Sequence, residues 1–408
     1  MVGCEIAVID MNCILPGAET PEEFYQNLIS GKYLIAKLDV QEEEYDNYVP
    51  YKGVIPIQTI AEPLWGIEAN IWDIADPQLR LLFKMADNLS LKAYSNMGIY
   101  VATSSSFEWR RKIYSEIGEE DSKKRNLVSN FTDETYYATQ LSYELDLKGP
   151  SCTIQSACAS SALALHTACQ ALLSGDCYEA AVFGVSVTTP MDRGYYYYEG
   201  SMFSSDGSTI PFSDRSKGTV PSDGGACVIL KCLEDAISDN DNILGIIKGI
   251  SVNNDGRQKM GYTAPSVVGE SEAIRRALDI SEVDGWDFIE MHGTGTSFGD
   301  SLEVEAIKRA AKIQLPCALT SVKGNIGYLD AASGIVSLVK VLKILEHRIV
   351  PGNINIEGFN PMINLQNTNF FIPRDNYRLP KRKVIGGINS FGDGGTNVHV
   401  IVESMEEE

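Results

Sequence analysis

Runs of apolar residues of strand length, continuous rather than alternating, recur along the whole chain. They include Ile6–Ile9, Ile99–Ala102, Ala180–Val185, Cys227–Leu230 and Ile246–Val252, and later Phe288–Met291, Ile385–Asn389 and Val398–Val402. A strand with one wet face alternates apolar and polar residues, so continuous runs imply strands covered on both faces. Between them lie segments of helical length: Pro21–Ser30, Asp76–Asn96, Cys158–Leu173, Glu270–Leu278, Leu302–Lys312 and Ala331–His347. Strands alternating with helices predict an α/β fold with layered sheets. From about Leu244 the order strand, helix, strand, helix begins again and ends in paired strands. That predicts one compact unit of two similar halves, residues 1–245 and 246–408.

Charge and cysteine usage narrow the function. A net charge of −21 on 408 residues argues against nucleic acid, whose phosphates demand a basic surface. The acidic runs Glu42–Glu44 and Glu406–Glu408 read as solvated surface or tail, and the basic clusters Arg110–Lys112, Lys123–Arg125 and Lys381–Lys383 as scattered surface charge or a local docking patch. No apolar run approaches the roughly 20 residues of a membrane span, and the first residues lack the pattern of a signal peptide. The nine cysteines show no metal-ligand spacing, so the expectation is a cytoplasmic protein with reduced, buried thiols and no metal.

One cysteine stands apart. Cys158 lies in Ser156-Ala157-Cys158-Ala159-Ser160-Ser161, between a Gly-Pro segment and a long apolar helical pattern. A thiol presented at a helix N-terminus meets free N–H groups and the positive end of the dipole, which predicts a lowered pKa and a nucleophile. Downstream come His292-Gly293-Thr294-Gly295-Thr296, Lys323-Gly324-Asn325-Ile326-Gly327-Tyr328 and Asn389-Ser390-Phe391-Gly392-Asp393-Gly394-Gly395-Thr396-Asn397. Further pieces are Asp76-Pro77-Gln78 with Arg80, Pro211-Phe212, Asn253-Asn254-Asp255-Gly256 and Tyr262-Thr263-Ala264-Pro265-Ser266.

In order and spacing these motifs resemble a β-ketoacyl synthase of the thiolase-like condensing enzymes, most closely the ketosynthase domains of modular polyketide synthases. The resemblance covers essentially the whole chain. It implies the thiolase-like five-layer α/β/α/β/α fold, a homodimer and a separate acyl carrier protein, whose phosphopantetheine bears the acyl and malonyl thioesters. It makes Cys158 the acyl acceptor and His292 the histidine that assists loss of the malonyl carboxylate. Lys323 becomes the electrostatic support, with Glu303 its partner acid, and Asn325 belongs to the loop presenting the second histidine. The N–H groups of Cys158 and Phe391 would form an oxyanion hole in the turn continued by Gly392, with Phe391 as a gate.

At one position the chain departs from the family pattern. The family's Asn-Ile-Gly-His is here Asn325-Ile326-Gly327-Tyr328, and His166, His347 and His399 occupy positions of structural type. A tyrosine hydroxyl donates a hydrogen bond but stays neutral near pH 7 and does not readily take a proton. Loss of one positioned acid or base costs about 10²–10⁴ in rate. The first expectation is therefore a free-standing polyketide-type synthase, an acyltransferase that loads Cys158 and condenses with malonyl-carrier protein. The second is a non-elongating transacylase. The third is a non-catalytic, chain-length-factor-like partner, which the intact Cys158 and His292 disfavour.

Overall fold

The computed structural model describes residues 5–39, 45–89, 91, 95–117 and 122–405, with 122–124 described for backbone alone. The runs Glu42–Glu44 and Glu406–Glu408, together with Cys4 and the side chains of Lys123 and Lys124, lie outside the described residues.

Eleven strands form one sheet: β1 (Ile6–Ile14), β2 (Met97–Thr103), β3 (Ser151–Ile154), β4 (Glu179–Ser186), β5 (Gly224–Cys232), β6 (Gly245–Asn254), β7 (Phe288–Glu290), β8 (Cys317–Thr320), β9 (Phe370–Phe371), β10 (Ile385–Phe391) and β11 (Thr396–Glu403). The first five are ordered β3-β2-β4-β5-β1 and the later ones β8-β7-β10-β11-β6, with β9 outside β8. Taken within each half this is the same order, third-second-fourth-fifth-first. The directions repeat as well: the first three strands of each order are parallel and the last two pairings antiparallel. The half-sheets meet where Ile6–Val8 pairs antiparallel with Gly245–Ile247.

Helices cover every face. Helices α1 (Pro77–Asp87) and α2 (Tyr137–Glu144) pack on the outer face of the first half-sheet. Between the half-sheets lie α3 (Ser160–Ser174) and α6 (Ser333–His347), while α4 (Val267–Ser281) and α5 (Ser297–Ala310) cover the outer face of the second. The five layers account for the continuous apolar runs. Met97, Ile99 and Val101 point to the α1–α2 layer, whereas Tyr100 and Ala102 point to the central layer. Ala181, Phe183 and Val185 alternate with Ala180 and Val182 in the same way. The central α6 is buried on all sides from Ser333 to Leu345, and it approaches α3 so closely that a Cβ on Gly334 would sit 2.9 Å from the Ala162 Cβ.

Several expected boundaries move: the helices expected over 270–278, 302–312 and 331–347 run Val267–Ser281, Ser297–Ala310 and Ser333–His347. The helix expected over 76–96 ends at Asp87, because Asn88 caps it and the chain must return to start β2 at Met97. The helix expected from Cys158 begins at Ser160, two residues later. Helices Phe107–Glu116, Ser122–Thr132 and α2 were not expected, being too polar on their outer faces to give a clear apolar period. No helix among the described residues is long and apolar enough to cross a membrane.

Candidate active site

Cys158 projects from a bend between β3 and α3. Ala157 takes φ +49°, a conformation costing an L-residue roughly 1 kcal/mol, and the bend is closed by Ala159 N–H donating to Ser156 O (3.2 Å) and Ser160 N–H to Ala157 O (3.0 Å). The thiol is 4% exposed. Contrary to the sequence expectation, it is not acidic: burial, then the nearby Asp330 carboxylate, pushes it up to about 11, and the Tyr328 hydroxyl and the Asp393 N–H offset this only in part. A cost of desolvation paid by the whole thiolate outweighs what one helix end returns.

The glycine-rich turn after β10 lies against this bend. Gly392 is needed there, because a Cβ would come within 2.8 Å of Ser156 O and 3.2 Å of the Ala159 Cβ. Ser390 Oγ donates to Cys158 O at 3.2 Å. Phe391 ends β10, buried, with its ring 6.0 Å from that of His292. The backbone N–H directed at the sulfur belongs to Asp393.

His292 follows β7 and is held by Glu303 of α5. Glu303 Oε1 accepts from His292 N–H (2.7 Å) and from Asn389 Nδ2 (2.8 Å), and its Oε2 accepts from Gly293 N–H (2.8 Å). Asn389 Oδ1 lies 2.6 Å from His399 Nδ1, and Trp286 Nε1 donates to His399 Nε2 (3.1 Å). His399 Nε2 therefore accepts, so its proton sits on Nδ1, and burial holds the ring neutral by lowering it to about 3. The His292 ring is likewise held well below the usual histidine range, first by burial and then by Lys323. Its Nδ1 is sealed and without a hydrogen-bond partner.

Lys323 opens a one-turn helix after β8, 2% exposed. Burial lowers its ammonium, while Glu290 and Glu303 oppose the shift. Glu290 is itself neutralised by Lys340 of α6 at 2.6 Å. Asn325 pins the loop to the chain's start, donating from Nδ2 to Lys32 O (3.0 Å) and accepting from Leu34 N–H at its carbonyl (2.7 Å). Gly327, at φ +82°, turns the chain so that Tyr328 pairs with Val220 and Ser222 and enters the site.

The Tyr328 ring stands edge-on to His292, centroids 6.3 Å apart at 86°. Its hydroxyl is buried and makes no hydrogen bond of ordinary geometry. It nevertheless lies close enough to the Cys158 sulfur for the two groups to perturb each other, and burial holds it well above the usual tyrosine range. The structure thus gathers Cys158, His292, Lys323, Tyr328 and Phe391 in one buried place.

Two acids that the motifs did not single out lie at its margin, Asp330 half-buried and Asp393 exposed. Asp330, at φ +41°, bonds Ser104 Oγ at 2.8 Å, and Ser104 Oγ reaches Ser186 Oγ at 3.0 Å. Asp393 lies in the glycine-rich turn itself. Their only signal in the sequence is proximity to Tyr328 and Phe391.

Residues 4–236 match the family model described as beta-ketoacyl synthase, N-terminal domain, and residues 244–357 the C-terminal domain. The chain belongs to the β-ketoacyl synthase family. It is 33% identical to polyketide synthase PksN of Bacillus subtilis over 98% of its length, and 34% identical to highly reducing polyketide synthase 40 of Fusarium pseudograminearum, again over 98%. It spans only 8% and 17% of those relatives. Among solved structures, ketosynthase twelve from the bacillaene polyketide synthase of Bacillus amyloliquefaciens superposes with a TM-score of 0.91 at 31% identity, covering 99% of this chain and 76% of that one. The module 1 ketosynthase of the bacillaene synthase from the same species gives 0.89 at 31% identity, with the same coverage. The fold is that of the thiolase-like ketosynthases, and the family is one of condensing enzymes.

The remaining polar clusters of this ketosynthase are structural. Lys52 and Asp223 form a buried pair at 2.7 Å. Arg382 forks onto Asp287, Lys383 meets Glu403, and Arg110 binds Asp133 and Glu134, so these three members of the basic clusters are paired within the fold.

Proposed function

We propose that this ketosynthase accepts acyl groups from a carrier-borne thioester onto Cys158 and transfers them onward, and that its decarboxylative elongation is slow. In the first half-reaction the Cys158 sulfur attacks the thioester carbonyl. A new C–S bond forms, the old one breaks, and the thiol proton leaves with the phosphopantetheine thiol of an acyl carrier protein. This step needs the nucleophile and the N–H groups around it. Elongation must also remove the malonyl carboxylate and stabilise an enolate, which calls for two positioned acid or base groups. The observation that carries the reading is Tyr328, whose buried, neutral hydroxyl faces the Cys158 sulfur without a hydrogen bond of ordinary geometry and stands beside a His292 that is itself held neutral.

Ordinary condensation is the second reading, and the intact assembly of His292, Glu303 and Lys323 favours it. We read residues 1–245 as the half bearing the nucleophile and residues 246–408 as the half bearing His292, Lys323, Tyr328 and the glycine-rich turn. Homodimerisation is proposed through β3, an edge strand half-buried along its whole length.

Intact-protein mass spectrometry tests the function. An acyl-carrier thioester should leave an acyl adduct on Cys158, and malonyl-carrier protein should neither lose CO₂ quickly nor clear the adduct. Release of a two-carbon-longer β-ketoacyl product establishes condensation instead, and the absence of any adduct removes both readings.

A further inference from the structure

A line of hydrogen bonds runs from the core of the second half-sheet to the strand end that carries His292. It starts at Trp286, just before β7, whose indole Nε1 donates to His399 Nε2 at 3.1 Å. His399 stands on β11 directly opposite Asn389 on β10, and its Nδ1 donates across the strand pair to Asn389 Oδ1 at 2.6 Å. Asn389 Nδ2 donates to Glu303 Oε1 at 2.8 Å, and Glu303 accepts from the His292 and Gly293 N–H groups at 2.7 and 2.8 Å. Gly387, two residues before Asn389, makes room for the first link. A Cβ there would lie 2.8 Å from Trp286 Cδ1, 2.9 Å from its Nε1 and 3.2 Å from His399 Cε1. Trp286, His399, Asn389 and Glu303 are all buried, so a lost link leaves its partner unpaired.

The line can point one way only. An indole donates and cannot accept, so His399 Nε2 is bare and Nδ1 carries the proton. That proton meets the Asn389 carbonyl oxygen, which turns the amide NH₂ toward Glu303. The other end asks for the same arrangement, because a carboxyl group whose two oxygens already accept backbone N–H groups needs donors around it. With the imidazole proton on Nε2 instead, the indole would lose its acceptor and the amide would turn. Its Oδ1 would then face Glu303, oxygen against oxygen. Cys158 is held by other contacts, the bend closed by Ala159 and Ser160 and the Ser390 hydroxyl.

We propose that His399 and Asn389, oriented by Trp286, are positioning residues for the malonyl half-reaction: they hold Glu303, and through it the backbone of His292, so that the imidazole meets the malonyl thioester in register. This rests on His292 assisting loss of the malonyl carboxylate and deepens that reading by naming the residues that act through it. Breaking the line moves His292 and spares the loading of Cys158.

Two readouts on the same protein separate positioning from general damage: CO₂ released from malonyl-N-acetylcysteamine, and the acyl adduct that acetyl-N-acetylcysteamine leaves on Cys158, followed by intact mass. His399→Leu should lower CO₂ release about ten- to a hundredfold, the scale on which a misplacement of about 1 Å acts, and leave adduct formation unchanged. His399→Asn, whose amide can set an N–H where Nδ1–H stood, should recover much of the loss. Asn389→Asp, which sets a second carboxylate against Glu303, should lower CO₂ release as far as His399→Leu does. Should His399→Leu not fold, Trp286→Phe removes the indole donor alone and makes the same comparison. Where CO₂ release by the native chain is too slow to divide, the series is repeated on Tyr328→His. Equal falls in CO₂ release and loading, or CO₂ release unmoved by the variants, overturn the proposal. If neither the native chain nor Tyr328→His releases CO₂, the reading of His292 itself falls.

Discussion

Replacing Tyr328 by phenylalanine deletes one oxygen and leaves the ring, its edge-on contact with His292 and the loop in place. That oxygen is buried and has no good partner. Burying an unsatisfied hydroxyl costs about 1–3 kcal/mol, of which the weak contact with the Cys158 sulfur returns only part. Tyr328→Phe should therefore leave the fold unchanged in stability or raise it by about 1 kcal/mol, seen as a small upward shift of the denaturation midpoint. Its effect on the Cys158 thiol has the opposite sense. The hydroxyl is one of two groups that lower the thiol's pKa, so without it Cys158 should be harder to ionise and should alkylate several-fold more slowly at pH 8. CO₂ release from malonyl-carrier protein should barely change, since the hydroxyl is not serving as its acid or base. Tyr328→His, which supplies an imidazole there, should raise it by about 10²–10⁴. The assay is CO₂ release alongside adduct formation by mass. A fall of a hundredfold or more in CO₂ release for Tyr328→Phe would show the hydroxyl to be the working donor, and the reasoning would fail.

Three more outcomes follow from the geometry. Iodoacetamide should alkylate Cys158 about a hundredfold more slowly at pH 8 than a thiol of ordinary pKa 9.0, with the rate still climbing as pH approaches 11; a plateau near pH 8 would contradict the burial argument. Because this folded-state pKa is raised, its contribution to stability is whole below pH 9 and is lost as pH rises through 11. Glu303→Gln should cost roughly 2–4 kcal/mol in denaturant unfolding and slow malonyl processing, since an amide NH₂ would face one of the N–H donors of His292, Gly293 and Asn389; wild-type stability would show the carboxylate to be dispensable. Gly392→Ala should depress acylation by thioesters far more than alkylation, because a Cβ 2.8 Å from Ser156 O displaces the turn while leaving the thiol; equal loss of both would mean general disruption of the bend.

The fold was written in the runs. Ile99–Ala102 and Ala180–Val185 could be read as doubly covered strands because local hydrophobicity records burial on both faces. Helix Phe107–Glu116 was not legible, since it buries little beyond Ile113 and so leaves no periodic trace. Of the candidate site, Cys158, His292, Lys323, Tyr328 and Phe391 were all nameable from motifs with fixed spacing. Asp330 and Asp393 were not, because nothing in a lone aspartate tells which side chain it will face.

The amino-acid order by itself determined the strand–helix alternation, the doubling of the chain into similar halves, and the Asn325-Ile326-Gly327-Tyr328 segment that ends in a tyrosine. These are properties of residue type and spacing, and they survive without coordinates. The charge state of the Cys158 thiol was decided only by the tertiary structure. The helix end argued for an acidic thiol, but burial to 4% exposure and the Asp330 carboxylate, brought 172 positions along the chain by the loop after Tyr328, set it high instead. Ionisation depends on desolvation and on neighbours in space, and neither is local in sequence.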